Sequence, residues 1–271
     1  MKSIPFARAL LGAALAIVSG LACASSVYPD FTVDTSALGG GGKLGTFSAN
    51  DISGQYHEQL TFTSDSTFVV TLDFVAQGFN HDDTNTALST SLAAGQTGLG
   101  VNYGLLAILN ASGTYSTSGG VTTFALTPGG ALTLTYDAGA NASFLAPAGP
   151  GGSFTIAANG DTLTTLATGS ALMGNGSQSC SAPNLCGSFG QENSFALTPA
   201  GSSFFVGPST FYDLSLQSGQ FEGFPVTVGG TVTASGSLNA VFASSVPEPG
   251  SWAMMGLALA GIVAVRARRR A

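Results

Sequence analysis

The chain is short of positive charge, of cysteine and of tryptophan. Of its 271 residues only seven are Lys or Arg, and six of these sit near the ends: Lys2, Arg8, Arg266, Arg268, Arg269 and Arg270. Between residues 25 and 245, Lys43 stands alone against thirteen acids, which leaves that stretch a net charge of −12. Such a surface repels phosphate backbones and has no side chains to neutralise them, so nucleic acid is excluded as a partner. The one tryptophan, Trp252, lies outside the stretch, which argues against a dedicated carbohydrate-binding module but leaves weak, many-copy sugar binding open. Helix formers at helical spacing are scarce, and no P-loop, zincin motif, nucleophile elbow or dinucleotide fingerprint is present.

What is abundant is Gly, Ser, Thr and Asn, so hydroxyls and amides rather than ions keep the surface wet. Neutral sugars, or further copies of the chain, suit that surface better than charged ligands. Short runs rich in Thr, Val, Phe and Leu recur between Gly, Pro, Asn and Asp. The clearest spans 67–74, where Phe68, Val70, Leu72 and Phe74 share one face of a strand and Thr71 and Asp73 the other. Similar runs at 59–63, 103–109, 121–126, 131–136, 153–157, 195–198, 211–216 and 232–242 predict an all-β fold. The expected architecture is an antiparallel β-sandwich, jelly-roll-like, with an N-terminal signal helix and a C-terminal transmembrane helix. One heptapeptide, Phe124 to Gly130, is nearly restated from Phe195 to Gly201, and each copy reads as a strand ended by a Pro and Gly turn.

Both ends read as address labels. Residues 1–24 combine Lys2 and Arg8, an apolar run and Ala22-Cys23-Ala24, the layout of a secretory signal cleaved after Ala24. Cys23 could instead carry a lipid, although Gly20 stands where a lipoprotein signal usually has a branched apolar residue. With Cys23 removed, Cys180 and Cys186 remain as a pair in an exported chain, which favours a disulfide over a zinc site. Closing so short a loop stabilises the fold by about 2 kcal/mol and pins one turn. At the other end Val246-Pro247-Glu248-Pro249 precedes an apolar run at 252–265 and then Arg266, Arg268, Arg269 and Arg270. The prolines hold Glu248 in extended backbone, and the arginines keep the end of the chain on the cytoplasmic side of a membrane. As a helix the run would reach about 21 Å, against a bilayer core of roughly 30 Å. The expected division is thus 1–24 signal, 25–245 exported β-rich domain, and 246–271 sorting tail.

These tail residues resemble the PEP-CTERM sorting signal, a segment also catalogued as the C-terminal domain of ice-binding proteins. The resemblance implies recognition by an exosortase, a transient inner-membrane anchor, removal of the tail, and release to the surface or matrix of a Gram-negative bacterium. The ice-binding name carries no evidence of ice binding here. The body is similar to the flocculation-associated PEP-CTERM family over Phe31-Thr32-Val33-Asp34, Cys186 to Gly190, Phe195 to Gly201, Phe204-Phe205-Val206 and Phe211-Tyr212. That likeness implies a protein promoting cell aggregation within exopolysaccharide, by binding the polymer or by self-association, and it brings no catalytic residues with it.

Other candidates are sparser. Asn80 to Asn85 is dense in oxygen ligands, and Asp82 with Asp83 could hold calcium, but the spacing is not that of an EF-hand and an ordinary Asx-rich turn is the expected reading. No other cofactor or metal is expected. His57, Glu58 and Asp73 are the titratable groups an acid-base enzyme would want, but the sequence supplies nothing that joins them and no orienting partner for His57. The chain is therefore not expected to be an enzyme. Tyr28, Tyr56, Tyr103, Tyr115, Tyr136 and Tyr212 could stack on sugars, or pack in the core as strand aromatics usually do. The function expected is that of a surface or matrix protein; the alternatives are a secreted carbohydrate-binding module and a secreted glycan hydrolase.

Overall fold

The computed structural model describes residues 28–38, 44–82, 89–179, 185–209, 211–218 and 221–243. In chain order the first elements are β1 (Phe31–Asp34), β2 (Thr46–Ala49), β3 (Asp51–Phe62), β4 (Thr67–Asp82), β5 (Ser89–Ser91) and a single helical turn, α1 (Ala94–Thr97). Then come β6 (Gly104–Ser118), β7 (Val121–Asp137), β8 (Ser143–Leu145), β9 (Thr155–Ala157) and β10 (Leu163–Gln178). The last are β11 (Leu185–Asn193), β12 (Ala196–Leu197), α2 (Pro199–Phe204), β13 (Phe205–Gly207), β14 (Asp213–Ser218), β15 (Phe221–Glu222) and β16 (Thr231–Ala243).

Eight of these strands, β3, β4, β6, β7, β10, β11, β14 and β16, each pair antiparallel with the next in that order. β16 then pairs back onto β3, so the ladder closes on itself. The all-β antiparallel class is thus as the sequence predicts, and opposite walls pack face to face over one core as the layers of a sandwich do. The walls are also joined at both edges, and the connectivity is an up-and-down meander. The signal helix and the transmembrane helix both fall outside the described residues.

Period-two alternation explains which side chains turn inward. On β4, Phe68, Val70, Leu72 and Phe74 are all buried, and they face Leu109, Leu132, Leu134 and Leu216 from other strands. A closed eight-stranded interior is narrow, so bulky inward residues need small neighbours. At Gly54 a Cβ would run into the Val75 carbonyl oxygen and the Phe74 ring. The same constraint hid β10 from the sequence reading: its inward positions include Ala171, Gly174 and Gly176, packed beside Leu126 and Phe189, and so lack a hydrophobic stripe. The predicted strands at 121–126 and 131–136 are one strand, β7, because Gly129 and Gly130, at φ of 126° and 80°, absorb a register shift without ending it. The two halves of the sequence echo also differ. Pro128 lies inside β7, whereas Pro199 begins α2, capped by Thr198, whose Oγ1 accepts from the Gly201 N–H at 3.0 Å.

One end of the barrel is closed by aromatics. The small sheet β13-β1-β2 brings Phe31 and Phe205 onto Phe242, with Phe31 and Phe242 edge to face at 4.9 Å, while Tyr103 stacks on Tyr136 at 5.2 Å. The other end holds Leu60, Phe62, Phe68, Phe124 and Phe224. On that side the wall is incomplete. β16 pairs with β3 from Thr231 to Val241 but with β14 only from Leu238 to Ala243, so residues 231–237 have a hydrogen-bonded strand partner on one side only among the described residues.

Candidate functional site: a groove on the barrel wall

Between β7 and β10 the chain leaves the barrel, forms the β8–β9 hairpin and folds back over the outer face of β3 and β4. Two outward threonines hold it there. Thr61 Oγ1 accepts from the Gly151 N–H at 2.9 Å, and Thr71 Oγ1 accepts from the Phe154 N–H at 3.2 Å. Under this flap Thr71 and Asp73 are buried although they point away from the core. Between the flap and the free edge of β16 runs a groove of about 920 Å³, lined among others by His57, Glu58, Asp73, Phe144, Glu222 and Ser235. No Lys or Arg is among its described lining residues.

The groove joins two titratable groups that the sequence left apart. His57 lies directly opposite Asp73 across β3 and β4, and its Nδ1 is 3.0 Å from Asp73 Oδ1, which also accepts the His57 backbone N–H at 3.3 Å. The expectation that His57 lacks an orienting partner is therefore corrected: a register between strands supplied it. The Asp73 side chain is 3% exposed and that of His57 61%. Burial raises the Asp73 carboxyl above its ordinary range, against the opposing pull of its hydrogen bonds and charge interaction with His57. Glu58, one residue along, turns the other way. It lines the barrel interior beside Leu72, Phe189 and Gln191, and burial pushes its carboxyl up to about 7. Tyr56, its inward neighbour, is raised too, mainly by burial and then by the charge of Glu58. Glu58 and Asp73 face opposite sides of the wall, so these two do not make the paired carboxylates of a glycosidase.

The tyrosines weighed for sugar stacking go mostly to the core: Tyr56, Tyr103, Tyr115 and Tyr136 are buried, while Tyr28 and Tyr212 are partly exposed at the barrel's surface. Cys186 sits on β11, but Cys180 lies outside the described residues, and with it the expected pairing. Asp82 ends β4 opposite Ser89; its side chain and all of Asp83 lie outside the description, and the described residues contain no cluster of three or more His, Cys, Asp or Glu suited to a metal. Ala22, Ala24, Val246, Pro247, Glu248, Pro249 and the arginines from Arg266 to Arg270 also lie outside it. No helix among the described residues is long and apolar enough to cross a membrane. Ser235, Glu222 and the flap were not singled out from sequence, because only the register of β16 and the fold-back of the β8–β9 segment bring them to the groove.

Comparison with known proteins bears on the tail. Residues 245–270 match the family model of the PEP-CTERM protein-sorting motif. No curated protein and no solved structure matches the chain. The PEP-CTERM motif supports an exported, cell-surface protein sorted by an exosortase. The match leaves the barrel and its groove uncovered.

Proposed function

We propose that this protein is delivered to the cell surface or extracellular matrix, processed at its Pro-Glu-Pro tail, and there promotes cell aggregation within exopolysaccharide. The sorting motif at residues 245–270 carries the reading. Its support from the body is chemical: a barrel whose outer face is mainly hydroxyl and amide, with one cation against thirteen acids. Each hydrogen bond from Ser, Thr or Asn to a sugar hydroxyl replaces an equally good bond to water and is individually weak. Many copies on one surface raise avidity by orders of magnitude without any new type of contact. The mature surface also carries the Cys180–Cys186 disulfide in this proposal, which peptide mass mapping would find or fail to find.

Fractionation with antibodies against the barrel and against the tail tests sorting. Barrel signal outside the cytoplasm and loss of the tail are expected, with tail removal blocked in Glu248→Ala; a cytoplasmic barrel, or normal processing of the variant, would defeat it. Deleting the gene tests aggregation. Dispersed cells with an unchanged quantity of polysaccharide are expected, and a deletion strain that aggregates as its parent does would refute the adhesive role.

A further inference from the structure

We infer that Ser235, His57 and Asp73 form a hydrolytic site for carboxylic esters in the groove. The three residues stand in one row across adjacent strands: Ser235 of β16 is opposite His57 of β3, which is opposite Asp73 of β4. All three line the groove on the outer face of the wall.

Backbone direction sharpens the row. Phe62 exchanges hydrogen bonds with Gly229 and Gly230 on the β16 side. N–H groups alternate sides along a strand, so His57, an odd number of residues from Phe62, turns its N–H toward β4, where Asp73 Oδ1 receives it. His57 and Ser235 are therefore a non-hydrogen-bonded pair, the class with Cα atoms only about 4.5 Å apart and side chains nearest each other. By the same alternation the Ser235 N–H points away from β3, toward the stretch of β16 that has no β14 neighbour.

Each residue then has a role that its surroundings allow. Asp73, buried beneath the flap, holds the Nδ1 proton of His57 and so fixes the tautomer whose Nε2 lone pair is free; it is a positioning residue. Nε2 has no hydrogen-bond partner among the described residues, and neither has the exposed Ser235 hydroxyl. No direct bond joins the two side chains, a gap usual before substrate tightens such a site. Ser235 Oγ attacks the acyl carbon and its proton passes to His57 Nε2. The C–O bond to the alcohol breaks and the departing alkoxide takes that proton. Water next attacks the acyl-serine, again giving a proton to Nε2, and the carboxylic acid leaves as Ser235 Oγ takes the proton back. The outward N–H of Ser235 is a donor for the developing oxyanion. Glu222, with no lining Lys or Arg, disfavours anionic esters, so the alcohol part is a neutral sugar, an O-acyl polysaccharide; this substrate class alone rests on the polysaccharide reading.

The test uses the full chain in detergent with a fluorophosphonate probe, p-nitrophenyl acetate and an O-acetylated polysaccharide. Mass mapping is expected to find the phosphonyl group on Ser235, and none in Ser235→Ala or His57→Gln. Asp73→Asn should lower kcat by about 10³ to 10⁴ with KM unchanged and an unaltered circular dichroism spectrum. No label on Ser235 in folded protein, or a kcat of Asp73→Asn equal to the parent's, overturns the site. Label on Ser235 with no acetate released from the polysaccharide upholds the site and overturns the sugar ester as its substrate.

Discussion

Along β16 the barrel wall has two characters. From Leu238 to Val241 the strand is paired on both sides, the inward residues of this half are Leu238, Ala240 and Phe242, and Phe31, Phe205 and Phe211 pack against the Phe242 ring. Before Leu238 it is paired on one side only, and the interior behind it contains a carboxylate, Glu58. The first half has the composition of a dry core. In the second, a wall left open on one edge tolerates groups that a sealed core would exclude, and the groove lies there.

The largest effect should come from breaking the sealed end. Phe205→Ala removes a ring in contact with Phe31, Phe204, Phe211 and Phe242 and should destabilise the fold by about 3–5 kcal/mol in urea titration. A shift below about 1 kcal/mol would mean that this end is not closely packed. Gly54→Ala sets a methyl against Phe74 and the Val75 carbonyl and should cost about 1–3 kcal/mol, read the same way.

Glu58 sharpens the contrast through pH. Its carboxyl is raised from 4.5 to about 7 in the folded chain. Below the lower value it is protonated in both folded and unfolded chains. Between the two values the unfolded chain ionises while the folded chain keeps its proton, so stability falls as pH rises, and above the upper one the loss is complete. Glu58→Gln should flatten this slope and make the fold about 3 kcal/mol more stable at pH 8, with little change at pH 4. Equal stability of parent and variant at both pH values would show that Glu58 reaches water freely. The smallest effect belongs to the flap. Thr71→Val loses the bond to the Phe154 N–H, about 1 kcal/mol, and should speed amide exchange at Phe154 while leaving the aromatic end protected.

The sequence announced the strand content because alternation such as that of residues 67–74 follows from local geometry. It also carried the sorting tail, a contiguous motif that needs no fold to be read. It missed β10, whose inward residues are small because the opposite wall is large. Separate strands were expected on either side of Gly129 and Gly130, where a bulge keeps one strand running. His57 and Asp73 were both noticed, yet their contact depends on a register between β3 and β4 that neither local pattern contains.

What the sequence determined by itself is therefore what composition and short-range pattern can specify: export, the acidic and hydroxyl-rich surface, and a fold made of antiparallel strands. The tertiary structure alone decided that the sheet closes, that β16 leaves an edge open, and that Ser235, His57 and Asp73 stand in one row. The physical reason is that strand register and closure are set by packing across the whole interior, where a small residue on one wall answers a large one on another, and such complementarity is not written at any single place in the chain.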